Sequence, residues 1–127
     1  MMSASNTRSY NISARSTDTH GRVLCSVRNH HFISDGPVQN GAPGEEGTPA
    51  ELFLTGIAAC GVELVQSFAK AEAMPLHAIS VDIAGMLDRA NPVRTDVSVF
   101  NAVHIKFHLS GVSAAQSAVL IDRFKGR

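Results

Sequence analysis

The chain has 127 residues, enough for one domain with a core of its own. Its 11 Lys and Arg balance its 11 Asp and Glu, so no basic excess points to nucleic acid and no single-sign tail to a membrane surface. Two cysteines, Cys25 and Cys60, make no disulfide framework, which favours a reduced, cytoplasmic setting.

The opening stretch, MMSASNTRSYN, lacks the basic-then-apolar pattern of a signal segment. Strand character runs from Arg8 to Arg15. A second strand is predicted over Gly21–Asn29, with Val23, Cys25 and Val27 on one face and Leu24, Ser26 and Arg28 on the other. HHFISD can continue the sheet. Asp35 to Gly47 is rich in Gly, Pro and Asn and reads as a loop. A helix then begins with Thr48 as N-cap, Pro49 in the first position and Glu51 three residues after the cap, a capping box. It runs to about Ala73, before Pro75. It is apolar around most of its circumference, so a wrapping sheet or a partner chain must cover it. Glu63, Gln66 and Lys70 interrupt it, which argues against a membrane span.

Two strands follow, Ala78–Leu87 and Val97–Gly111. In the second, Val103, Ile105, Phe107 and Leu109 face one way, and His104, Lys106, His108 and Ser110 the other. Ser113 caps a last helix that ends on Gly126 with Arg123 and Lys125 in its final turn. The order is β-β-α-β-β-α, with a third early strand if HHFISD joins the sheet. This is an α+β domain. Two helices with broad apolar faces exceed what one modest sheet covers, so a homodimer is expected to complete the core.

Several of these residues together form a pattern. Asp35-x-Pro37, a Gly-rich loop, Gly47-Thr48-Pro49-x-Glu51-Leu52 and then Ala58-Ala59-Cys60 resemble the OsmC/Ohr family. The resemblance spans most of the chain, residues 1–127 being read as one OsmC-like domain. It implies antiparallel sheets wrapped around long central helices in an intertwined homodimer. It also implies a thiol peroxidase acting on organic hydroperoxides in oxidative-stress defence. In that chemistry a cysteine on the central helix attacks the peroxide, supported by an arginine and a glutamate. Cys60 matches the attacking cysteine, and Glu51 and Arg28 are the candidate supporting pair, with Arg22 as a second candidate arginine. The family's second cysteine, in a Cys-Pro pair after the last helix, has no counterpart before Arg127, nor has the strand that follows it. Cys25 does not match that position. Either the sequence stops short of the pair or this member lacks it, and in the second case an external thiol is the expected reductant. The family's supporting glutamate falls at Ala50, with Glu51 beside it.

The residues themselves set conditions on that chemistry. A thiol is a poor nucleophile, and an apolar pocket alone disfavours the thiolate, so Cys60 needs a cation or hydrogen-bond donors. Glu51 lies about 13 Å from Cys60 along the helix axis and cannot touch the sulfur within one straight helix. Capping already accounts for Glu51. Glu63, three residues after Cys60, either opposes the thiolate or holds an arginine over it. Phe53, Ile57 and Phe68 are the candidate lining of an apolar substrate pocket. No metal or cofactor is implied: His30 and His31 point to opposite faces of a strand, and His104 and His108 lie about 13 Å apart on one. C-x-x-C, H-E-x-x-H and Walker patterns are absent. The competing reading is a non-catalytic OsmC-like dimer that binds a small apolar ligand at its interface, with Cys60 as a packing residue.

Overall fold

Met1–Leu52 and Phe53–Arg127 form two compact units. A computed structural model describes residues 6–126, so the expectations for the first residues of the opening stretch and for Arg127 lie outside the described residues.

The first unit is an antiparallel sheet of three strands in sequence order, β1 (Ile12–Ser16), β2 (Arg22–Val27) and β3 (His30–Asp35). HHFISD is thus a strand in its own right. The expected strand over Gly21–Asn29 is shorter, because Arg28 and Asn29 form a turn. Arg28 takes φ 53°, a left-handed value that a tight hairpin requires and a strand does not contain. Arg28 therefore lies on no strand face. The same turn explains why β1 starts at Ile12 rather than Arg8: Ile12 pairs with Val27, the last ladder residue of β2. The faces follow the predicted alternation. Ala14, Cys25 and Phe32 form one cross-strand row, and Ser13, Ser26 and His31 the next.

The long helix α1 (Pro49–Ala71) opens on the predicted box. The Thr48 amide donates to Glu51 Oε1 at 2.9 Å, and the Glu51 amide to Thr48 Oγ1 at 3.3 Å. It ends two residues before the expected Ala73, which has φ 53°. The Ala73 amide donates to the Lys70 carbonyl and the Met74 amide to the Ala69 carbonyl, the paired bonds of a Schellman motif.

From Phe53 onward α1 belongs to the second unit, with the antiparallel pair β4 (Ala78–Met86) and β5 (Ala102–Ser110) and the helix α2 (Ala114–Lys125). Ser113 caps α2 in a full capping box with Gln116. The core is Val65 and Ala69 of α1 against Leu120 of α2, with Phe68, Met74, Ile79, Phe107 and Phe124 packed around them. In β5, Ile105, Phe107 and Leu109 are half-buried while Lys106, His108 and Ser110 are exposed, as the alternation predicts, but Val103, expected on the inward face, is exposed near the start of the strand. The strand begins at Ala102 and not at Val97. The Asn101 side chain accepts from the Asp88 amide at 2.7 Å and donates to the Asn91 carbonyl at 2.6 Å, tying residues 87–101 into a loop. Such local bonds compete with a strand ladder.

Two sheets are present where one was expected. The chain buries α1 on one stripe only, Gly61, Val65 and Ala69. By length and composition α1 is also long and apolar enough to cross a membrane, a property that core helices share.

Candidate functional site

Cys60 occupies the middle of α1, beside the buried stripe rather than in it. A Cβ on Gly61 would lie 3.3 Å from the Phe107 ring and 3.6 Å from that of Phe124. Those rings pack edge to face, with centroids 5.4 Å apart. Gly61, Val65 and Ala69 recur every four residues and so share one face of the helix. One residue is about 100° of helical turn, which rotates Cys60 off that face. Its thiol is exposed. Phe53 and Ile57, seven and three residues earlier, fall on the same face as Cys60. Within the chain, then, Cys60 is exposed on a largely apolar face.

Glu63 is the acidic neighbour of Cys60. Ser67 Oγ donates to the Glu63 carbonyl at 3.0 Å and to its Oε1 at 3.2 Å. Among the described residues Glu63 makes no ion pair and holds no arginine.

The first unit builds a different constellation around a buried charge. Asp35, at the end of β3, has no exposed surface. Arg22, at the start of β2, is its register partner. Arg22 Nε donates to Asp35 Oδ1 and Nη2 to Oδ2, both at 2.8 Å, a fork-to-fork pair. The amides of Glu45 and Glu46 each donate to Oδ2 at 3.0 Å. Arg22 Nη2 also reaches Glu45 Oε1 at 3.2 Å. The Arg22 guanidinium, followed by the two backbone amides, holds the Asp35 carboxyl down at about 2. In return the carboxylate keeps the guanidinium firmly protonated. Gly21 makes the close approach possible: it has φ 80°, and a Cβ there would lie 2.3 Å from the Ala42 side chain. The Gly-rich loop is therefore folded back on the start of β2, and two of its amides, those of Glu45 and Glu46, hold Asp35.

No protein-family model matches the sequence, and no curated protein matches it. Solved structures match the fold. An OsmC-like protein from Mycoplasma pneumoniae superposes with a TM-score of 0.80 at 17% identity, covering 94% of this chain and 82% of that one. An organic hydroperoxide resistance protein from Elizabethkingia anophelis gives 0.77 at 14% identity, over 97% and 85%. An organic hydroperoxide resistance protein OsmC from Legionella pneumophila gives 0.72 at 20%, over 96% and 85%. The chain has the OsmC-like fold.

On this OsmC-like fold the candidate residues are distributed as follows. Cys60 is exposed at mid-helix. Glu51 is in the first turn of α1, where Thr48 holds its carboxyl below the usual range. Arg28 is exposed on the β2–β3 hairpin and makes no ion pair among the described residues. Phe53 is 61% exposed and stacks on Phe100, with centroids 6.0 Å apart. Ile57 is half-buried, and Phe68 packs on the Val65–Ala69–Leu120 core. Cys25 is half-buried between Ala14 and Phe32. The sequence reading named Asp35 and Arg22 without joining them; only their pairing in register does so. It missed Phe100, whose position within an expected strand concealed its part in a loop.

Proposed function

We propose that this chain is a cytoplasmic, homodimeric thiol peroxidase that reduces organic hydroperoxides with Cys60. The observation that carries the reading is the exposed Cys60 thiol at the middle of the long helix of an OsmC-like fold. Structures of that fold include proteins named for organic hydroperoxide resistance. The Cys60 thiolate attacks the terminal oxygen of the hydroperoxide. The S–O bond forms as the O–O bond breaks, the alkoxide leaves and takes a proton, and Cys60 becomes a sulfenic acid. Two equivalents of an external thiol return it to the thiol, by way of a mixed disulfide and with release of water. The products are an alcohol, water and an oxidised thiol pair.

The thiolate requires a cation. Arg28 and Arg22 are the candidate arginines, and the one whose replacement by Ala slows alkylation of Cys60 at pH 6 about tenfold is the one that supports its thiolate. Dimerisation is supported by the face of α1 that the chain leaves open around Phe53 and Cys60.

The test is intact mass after brief exposure to a limiting organic hydroperoxide. A gain of one or two oxygens, absent in Cys60→Ser, is the expected result. An unmodified Cys60 in folded protein rules out the peroxidase. It would leave the second reading, a dimer that binds an apolar ligand on the Phe53–Ile57 face without chemistry.

A further inference from the structure

The second sheet has a long side that no strand covers. β5 pairs with β4 along its whole length, from Ala102 opposite Met86 to Ser110 opposite Ala78. No strand pairs with its other side among the described residues. The free edge therefore runs the length of a 9-residue strand, with no bulge, proline or glycine in it. Proteins blunt such edges with short strands, prolines, bulges or charges, because a row of unpaired amides and carbonyls accepts another strand. Here the only Lys, Arg, Asp or Glu in the strand is Lys106.

Beside that edge, between β5 and α2, lies a groove of about 430 Å³. Val103, Ile105 and Phe107 line it from the strand, and Ile121 and Phe124 from the helix. The three strand residues alternate over about 13 Å, the spacing at which a neighbouring strand places its own side chains. Lys106 borders the groove as well, although alternation turns its side chain to the other face of the sheet. A cavity confined beneath the sheet would not meet Lys106, so the groove opens at the backbone edge itself. Lys125 stands at the helix side. The residue opposite Lys106 in the ladder, Asp82, is held instead by His108, whose Nε2 lies 2.9 Å from Asp82 Oδ2. Neither Lys106 nor Lys125 makes an ion pair among the described residues.

We propose that the free edge of β5 is a docking surface for an extended segment of a partner protein in which apolar and acidic residues alternate. The added strand bonds its main chain to β5. Its apolar side chains, two residues apart, enter the groove against Ile105, Phe107 and Ile121. Its carboxylates, on the opposite face, meet the Lys106 ammonium across the edge, and a carboxylate at the end of the segment meets Lys125. The two lysines also disfavour the strands of a second copy. β1 carries Arg15 and no carboxylate, the one acid of β3 is the buried Asp35, and the one acid of β4, Asp82, is already held by His108. The docking surface makes no use of Cys60 and stands apart from the peroxidase reading.

The experiment titrates the full chain with a pair of fluorescein-labelled peptides matched to β5 in length. One alternates valine with glutamate and the other valine with lysine. Anisotropy reads the affinity, and amide hydrogen exchange reads the site. The glutamate peptide should bind about tenfold more tightly than the lysine peptide and slow exchange in β5. A variant carrying both Lys106→Glu and Lys125→Glu should reverse that order. Both lysines are exposed, so the variant keeps its fold. The proposal is overturned if the glutamate peptide shows no saturable binding, or if it binds without slowing β5. It is also overturned if the double variant leaves the preference within twofold of the wild type. Amides of β5 that are already slow in the free protein and quicken on dilution would assign the edge to a second copy, and that too overturns it.

Discussion

Asp35 is the residue on which the first unit turns. It is a fully buried carboxylate, and it persists there because four donors satisfy it: two from Arg22 and the amides of Glu45 and Glu46. Its folded-state value, about 2, lies below the ordinary value of about 4 for an aspartate. A depressed carboxylate contributes stability that is fully present above its unfolded value and is lost as pH falls through its folded value. The pair should therefore hold the first unit at neutral pH and release it between about pH 4 and about pH 2. Asp35→Asn should lower the denaturation midpoint at pH 7 and flatten the acid limb. Urea unfolding at pH 7, 4 and 2, on both proteins, reads this directly. Parallel acid limbs would mean that other carboxylates govern acid unfolding.

Helix ends carry the clearest element-scale energetics. The box at the start of α1 joins Thr48 and Glu51 reciprocally, and Thr48→Ala should destabilise by about 1 kcal/mol. Glu51 is held below its usual range by the Thr48 amide. Its share of the cap is thus complete above the ordinary glutamate value and disappears in acid. The other end of α1 places Ala73 in a left-handed conformation that its Cβ resists. Ala73→Gly should relieve that strain and stabilise the protein by about 0.5 to 1 kcal/mol, after the greater freedom of glycine in the unfolded chain is counted. Thermal melts measure the shift, and a lowered midpoint would show that the Schellman geometry is not the native one. In α2, Leu120 is the most enclosed apolar side chain of the second unit together with Val65. Leu120→Ala should cost about 2–5 kcal/mol, because the cavity opens between two helices and a sheet that cannot all collapse into it.

At the scale of the whole molecule the core is small. Among the described residues the buried apolar side chains are Ala42, Val65, Ala69 and Leu120, while Phe53, Met86, Val97 and Val119 remain substantially exposed. A chain that leaves this much apolar surface in water gains by pairing. Sedimentation equilibrium should give twice the 13.5 kDa of one chain, and the melting temperature should rise with protein concentration. A monomer whose melting is independent of concentration would remove the dimer from the proposed function.

Local chemistry settled much of this protein. Thr48, Pro49 and Glu51 placed the start of α1, Ser113 that of α2, and alternation in β5 told inward from outward residues from Ile105 onward, because caps and side-chain periods act within a few residues of chain. The run from Asp35 to Cys60 also pointed to the OsmC-like fold that the solved structures share. What the sequence could not contain was long-range pairing. Arg28 reads as a strand residue until the partner strand forces a turn on it. Val97 and Val99 alternate like strand residues, yet Asn101 holds them in a loop through bonds to Asp88 and Asn91. Arg22 and Asp35 are separate letters until β2 and β3 align them, and Phe100 meets Phe53 only when the loop after β4 returns to α1. Each of these depends on which backbone lies opposite which, and that is fixed by packing and register, not by any residue's own preference.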